Sequence, residues 1–281
     1  MDSKFSKRIA IELMQTKYVF YITILFFFIS CSNAQQQKEV SFKSKDSLGI
    51  NVVNFVKKDI SKVIDSVSCG LNFIPANNYN TTKSEIEKIR MELSNKYQNI
   101  TDSIHQKTLL DSTMTIFSNI LLNKITPCWY GTPWDFNGHT AKPNQGTIAC
   151  GYFVSTTLRD MGLNLNRYKL AQQNPESEAK SIAIDVKNVM YFDEESIFKK
   201  IDKLNDGLFF IGLDNHVGYL YLYKGKSYFI HSNCIDGKVM IEPAKSSEAF
   251  YSANYYIVRF TGHKNLAKKW LTKDPLLIVV K

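Results

Sequence analysis

A cysteine and two histidines in the second half of the chain have the types and the order that thiol catalysis requires. Cys150 begins a predicted helix, where the helix dipole and free backbone N–H groups favour a thiolate and can hold an oxyanion. His216 begins a predicted strand, from which a neutral imidazole can accept the thiol proton or an imidazolium can pair with the thiolate. His231 ends the next predicted strand, and a hairpin would bring it beside His216. We therefore expect a nucleophile at Cys150, a base at His216 and an orienting residue at His231.

Asn233 is an alternative to His231 as the orienting residue. The two positions are two apart, so in an extended strand both side chains face the same side of the sheet. Asn233 lies closer to the predicted turn at Asp236-Gly237, where asparagine commonly bonds its own backbone. We therefore favour His231.

The elements that must position these residues change in character near Pro127. Before it the chain is mostly helical, and after it a helix is followed by a run of short strands, which predicts an α+β fold with an antiparallel sheet of about five strands. The strand candidates are 207–213, 216–223, 227–232, 238–241 and 254–260, and the helix candidates in this part are about 148–161 and 193–204.

The start of the chain is predicted to be a targeting segment. A short apolar stretch, Tyr18 to Ser30, follows Lys17 and is too short to span a bilayer as a helix. Ser30 directly before Cys31 resembles the lipobox of bacterial lipoproteins, in which that cysteine is lipidated. Ordinary cleavage after Ala34 is the alternative. We expect export to the cell envelope or periplasm, with a membrane anchor at Cys31 favoured over a free secreted form.

The predicted organisation has five parts. They are a signal segment (1–34), a flexible polar tether (35–49), a helical N-terminal region (50–125), a domain carrying the candidate site (126–262) and a C-terminal tail (263–281).

Composition limits the chemistry further. Five cysteines are too few for a disulfide scaffold, and at most one disulfide can form among Cys69, Cys128 and Cys234 if Cys31 is lipidated and Cys150 is reactive. His231 and Cys234 have the spacing of half a zinc site, but no second half accompanies them. We expect no metal and no cofactor.

The net charge of +9 favours anionic surroundings such as an acidic cell-wall polymer. The lysines are scattered, except for a cluster at 264–273 that is typical of a solvated helix face. We expect no nucleic-acid partner.

Two blocks of the sequence resemble a known family. Residues 131–154 (GTPWDFNGHTAKPNQGTIACGYFV) and 216–233 (HVGYLYLYKGKSYFIHSN) are similar to the signature blocks of the NlpC-type, papain-like cysteine peptidases of the bacterial cell wall. That family typically shows G-x-P-Y-x-x-G-G, then D-C-S-G-F/L-V on the catalytic helix, an H-V-G-I/L-Y strand and a strand that ends in V/I-H. The resemblance covers about residues 127–260. It implies a catalytic helix packed on an antiparallel sheet, with a groove at the N-terminus of that helix.

The resemblance implies the same three roles, and His231 stands where the V/I-H of the family pattern falls. Trp134 occupies the position of the family's tyrosine, near the oxyanion site, where its indole N–H can still donate. Ala149 and Gly151-Tyr152 replace the usual residues beside the cysteine. The loop between Trp134 and Cys150 is longer than usual and contains His139 and Lys142.

Together these features predict an exported cysteine hydrolase that cuts an amide bond in peptidoglycan stem peptides, as an endopeptidase or amidase. One alternative keeps the site but acts on acyl esters, as a hydrolase or acyltransferase. Another is a non-catalytic, envelope-binding lipoprotein. A reactive Cys150 thiolate should be alkylated by iodoacetamide near pH 6, about two units below the pKa of a free thiol, and a buried neutral thiol should not.

Overall fold

The computed structural model describes residue 64 and residues 66–280, which belong to one compact unit. The predicted signal segment and tether, the lipid-attachment residue Cys31 and the first part of the predicted helical region lie outside the described residues. None of the described helices is both long enough and apolar enough to cross a lipid bilayer.

The described chain forms an α+β fold. The α-helices are α1 (Ser66–Cys69), α2 (Tyr79–Asn99), α3 (Ser103–Ile120), α4 (Thr126–Trp129), α5 (Cys150–Asp160), α6 (Arg167–Ala171), α7 (Pro175–Ala183), α8 (Ile197–Ile201) and α9 (Lys264–Thr272). The strands are β1 (Val189–Asp193), β2 (Gly207–Gly212), β3 (Val217–Tyr223), β4 (Lys226–Asn233), β5 (Lys238–Pro243) and β6 (Asn254–Arg259). A π-helical turn, Leu121–Ile125, joins α3 to α4.

All strands belong to one antiparallel sheet in the order β1-β6-β2-β3-β4-β5. The sheet has six strands, where the sequence predicts about five. The additional strand is β1, and the predicted helix at 193–204 is correspondingly shortened to α8. Val189 is the only fully buried residue of β1, because the strand lies at the edge of the sheet and pairs only with β6. The sequence of β1, VMYFD, is a short apolar run, which periodicity alone does not distinguish from part of a helix.

Helix α5 packs on one face of the sheet through β3. The ring of Phe153 lies 5.9 Å from that of Tyr219, measured between centroids, and Thr157 Oγ1 is 2.6 Å from the Tyr219 hydroxyl. On the opposite face, Phe229 of β4 packs edge-on against Phe250, with centroids 5.2 Å apart. The sheet is therefore buried on both faces around the strands that carry the candidate histidines.

The predicted helical region and the predicted tail contribute to the same core as the sheet. Arg90 of α2 donates a hydrogen bond to the carbonyl of Leu271 in α9 at 3.0 Å. Phe117 of α3 lies against Trp270 of α9 and Phe260 after β6, with centroid distances of 5.2 and 6.0 Å. Packing is continuous across the predicted boundaries at 125/126 and 262/263.

Candidate active site

Cys150 is the first residue of α5, and the loop before it is fixed by hydrogen bonds. The backbone N–H of Ile148 donates to the carbonyl of Pro133 at 2.9 Å, and Ala149 donates to Gly138 at 2.8 Å. The hydroxyl of Ser232, on β4, donates to the carbonyl of Ile148 at 2.7 Å. These bonds attach the residues that precede the thiol to the end of the sheet.

Burial opposes a thiolate at Cys150. Burial is the largest cause that raises the pKa of this thiol, to about 11, and the nearby Glu178 acts in the same direction. Backbone N–H groups of Val217, Gly151 and Cys150 itself lower the pKa but do not outweigh burial. The pKa therefore favours the neutral thiol, and the thiolate expected at the helix N-terminus stays a prediction. Burial also raises the pKa of Glu178, which favours its neutral acid.

His216, His231 and Glu242 form a hydrogen-bonded series. Nε2 of His216 is 2.7 Å from Nδ1 of His231, and Nε2 of His231 is 2.9 Å from Oε1 of Glu242. A carboxylate can only accept, so His231 carries its proton on Nε2 and accepts at Nδ1. His216 must then donate from its own Nε2. Its Nδ1 is left unprotonated, in the form that can accept a proton from a thiol.

Glycine and a phenylalanine hold this series in place. The rings of His231 and Phe229 are stacked, with centroids 3.9 Å apart and planes inclined by 19°. A Cβ on Gly218, in β3, would lie 2.7 Å from both the Ile230 carbonyl oxygen and the Phe229 ring. Only glycine leaves room for the stacked pair beside β3.

Both imidazoles are held neutral. Burial lowers the pKa of His216 well below its ordinary value, and the neighbouring His231 adds to the effect. Burial also lowers the pKa of His231, although the hydrogen bond to Glu242 opposes the shift. The resting site therefore combines a neutral thiol with a neutral base.

Val217 connects the thiol to the imidazole series. It follows His216 directly, and its backbone N–H lowers the pKa of the Cys150 thiol, which places it near the sulfur. The β3–β4 ladder begins only at Tyr219 and Ile230, which leaves Val217 outside it. The thiol and the base therefore lie at the same end of β3. No hydrogen bond joins the sulfur to the His216 ring in the described structure, as is common before substrate binds.

Trp134 lies in the loop that leads to Cys150. Its backbone N–H donates to the carbonyl of Gly237 at 2.9 Å, and the preceding Pro133 accepts from Ile148. The side chain is partly buried, and no described residue accepts from its indole N–H. The indole is therefore free to donate to a substrate oxygen, and its place beside the oxyanion stays a prediction.

Asn233 makes different hydrogen bonds from His231. Its amide nitrogen is 2.9 Å from Asp236 Oδ2, and its amide oxygen accepts from the backbone N–H of Ile235 at 2.7 Å. These bonds shape the β4–β5 turn, and the side chain makes no hydrogen bond to His216. The structure brings only His231 to the base.

Sequence reasoning missed Glu242. The residue is 2% exposed, and its carboxyl also accepts from the Ser247 hydroxyl at 2.6 Å. The available signal was weak: a single acid in an otherwise apolar strand, directly before Pro243. No disulfide joins any two of Cys69, Cys128, Cys150 and Cys234 in the described part of the chain.

Comparisons of the chain with protein-family models, with curated proteins and with solved structures find no match.

Proposed function

We propose that this protein is a papain-like cysteine hydrolase of the NlpC type that cuts an amide bond in peptidoglycan stem peptides. The observation that carries the proposal is the hydrogen-bonded series His216–His231–Glu242. It ends at the residue directly before Val217, whose backbone N–H lowers the pKa of the Cys150 thiol. A base held in one tautomer beside a nucleophile is the arrangement that acyl transfer requires.

The proposed reaction starts from the neutral pair. As the sulfur of Cys150 attacks the substrate carbonyl carbon, Nδ1 of His216 takes the thiol proton and a C–S bond forms. Backbone N–H at the start of α5 and the Trp134 indole stabilise the oxyanion. His216 then gives its proton to the departing amine as the C–N bond breaks. Water hydrolyses the thioester with His216 again as base.

Glu242 matters most while His216 is charged. The imidazolium donates to His231, which donates in turn to the carboxyl of Glu242. Hydrogen bonds in a buried series polarise one another, so the developing charge is spread towards the carboxyl without an ionic group touching the substrate.

The substrate class follows from the sequence. The two family-like blocks, the predicted export segment with Cys31 and the net charge of +9 all favour an anionic polymer of the cell envelope. We propose that the protein acts there while attached to the membrane through Cys31.

The test is incubation of the purified full chain with cell-wall sacculi, followed by mass spectrometry of the released fragments. Release by the wild type and by Cys234→Ala, but not by Cys150→Ala, supports the proposal. Release that persists in Cys150→Ala contradicts it. A parallel panel of acyl esters separates amide cleavage from ester cleavage, and reaction with neither class favours a non-catalytic binding protein.

A further inference from the structure

Arg167 is a buried cation with no acidic partner. It is 4% exposed, and its guanidinium donates to the backbone carbonyls of His139 and Thr140 and to the hydroxyls of Thr156 and Tyr168. All four acceptors are neutral, and no described carboxylate lies within ion-pair distance of it. A buried positive charge that no acid neutralises projects a field towards whatever lies next to it.

The group that lies next to it on the outside is Tyr168. This side chain is 50% exposed, and its hydroxyl oxygen accepts from Arg167 at 3.2 Å. Since that oxygen already accepts from the guanidinium, its own O–H is available to donate towards solvent. The hydrogen bond and the charge of Arg167 lower the pKa of Tyr168, which makes the phenol a stronger donor.

Two further rings form a wall beside Tyr168. Tyr152 and His139 lie with ring centroids 5.7 and 6.3 Å from it. Tyr152 is two residues after Cys150, and His139 pairs with Ile148, two residues before Cys150. The cluster therefore surrounds the start of α5.

We propose that Tyr168, backed by Arg167 and walled by Tyr152 and His139, is a subsite for a carboxylate of the substrate. The inference rests on the proposed function and adds that the site selects substrates with a free carboxylate. Tyr152 leaves the helix about 200° around from Cys150, so roughly 10 Å of helix separates the subsite from the sulfur. At about 3.3 Å per extended residue, the recognised carboxylate lies two or three residues from the cut bond.

The test uses two synthetic stem peptides of the same sequence. In one, the side-chain and α-carboxyl groups are free acids, and in the other they are carboxamides. Binding is measured by calorimetry to the full chain carrying Cys150→Ala, alone and combined with Tyr168→Phe. We expect the free-acid peptide to bind more tightly and to lose roughly tenfold in affinity with Tyr168→Phe, as loss of a charge-assisted hydrogen bond predicts. The amide peptide should change less than about twofold.

The matched control is Tyr251→Phe, which removes another exposed phenol, 59% exposed, outside the cluster. It should change neither affinity. Three results overturn the subsite. They are an equal loss of affinity for both peptides with Tyr168→Phe, equal affinity of both peptides for the Cys150→Ala protein, and no binding of either peptide. Selective binding without any hydrolysis by the wild type overturns the proposed function and leaves the subsite standing.

Discussion

Oε1 of Glu242 lies 2.9 Å from Nε2 of His231, and both side chains are buried. This one contact decides where the protons of the site reside. With Nε2 of His231 committed to the carboxyl, its Nδ1 can only accept from His216, and Nδ1 of His216 is left as the base. A residue that never approaches the substrate thus sets the protonation of the one that does.

Replacing Glu242 should therefore slow catalysis. In Glu242→Gln the amide can turn its NH2 group towards His231 and reverse the series, so we expect a loss of roughly tenfold or more in kcat with little change in KM. Glu242→Ala also leaves the Ser247 hydroxyl without its partner and should cost about 1–3 kcal/mol of stability. Kinetics and urea unfolding measure the two effects. Exposed Glu248→Gln is the control, and equal activity of Glu242→Gln and Glu248→Gln would contradict the prediction.

The three residues at the base should rank in a definite order. We expect His216→Ala to lose roughly a thousandfold in rate, His231→Ala less, and Asn233→Ala least. His231→Ala keeps the base but loses its orientation. Asn233 shapes the turn through Asp236 and touches the series only through a 3.4 Å contact between its amide nitrogen and Glu242 Oε1. Initial rates should be read beside thermal melts of each variant. If Asn233→Ala, with an unchanged melt, is the most damaging of the three, His231 is not the orienting residue.

The reactivity of Cys150 should follow a raised pKa. With that pKa at about 11, iodoacetamide should modify the thiol slowly at about pH 6. The rate should rise about tenfold per pH unit through the neutral range, because only the thiolate reacts. Peptide mapping distinguishes Cys150 from Cys69, Cys128 and Cys234, and Cys150→Ala gives the background. A rate that is already at its plateau at neutral pH would show that the resting site holds a thiolate.

Stability should fall as the solution is acidified. Burial lowers the pKa of His216, His231 and His263, so each stays neutral in the folded chain below about pH 6.5, where it protonates in the unfolded chain. The unfolded state therefore binds more protons in that window, and the free energy of unfolding decreases as the pH falls. We expect Tm to drop by about 5 °C between about pH 7.5 and about pH 5.

The contribution of the histidines to the dependence of Tm on pH can be separated from that of the acidic residues. His216→Gln should make the dependence of Tm on pH shallower. Equal slopes in the wild type and in His216→Gln would remove His216 from the explanation.

Gly151 should not tolerate a side chain. A Cβ there would lie 2.8 Å from the carbonyl oxygen of Ala171 and 3.1 Å from Oε1 of Glu178. Gly151→Ala must push the first turn of α5 away from α6, at a cost of about 1–3 kcal/mol, and displace the neighbouring sulfur. Kinetics and melting of the variant measure both effects. Unchanged kcat in Gly151→Ala would show that the position of the sulfur does not depend on this contact.

The sequence predicted those parts of the fold that local pattern determines. Helix α5 and strands β2 to β6 were found because their apolar residues recur at helical or strand spacing. Strand β1 was not, because its short apolar run, VMYFD, does not by itself distinguish a strand from a helical segment. The presence of Gly151, where the resembling family has serine, is explained only by Ala171, which comes into contact through the fold.

The candidate site was also predicted only in part. The order of Cys150, His216 and His231 could be predicted because each residue stands at the end of a predicted helix or strand. Glu242 could not, since an acid in a strand ordinarily faces water and its partner His231 is reached only across the β4–β5 pairing. The raised pKa of the Cys150 thiol could not be predicted for a related reason: the depth at which a side chain is buried is a property of the whole fold.

The contact between Arg90 and Leu271 joins residues 181 positions apart. Contacts of such long range are slow to form, because a large loop must close before they contribute. Until α9 docks, Phe117 lacks the Trp270 ring that packs against it, and a growing chain keeps this apolar surface exposed to chaperones. The part of the core around Phe117 and Phe260 therefore cannot close before α9 is available.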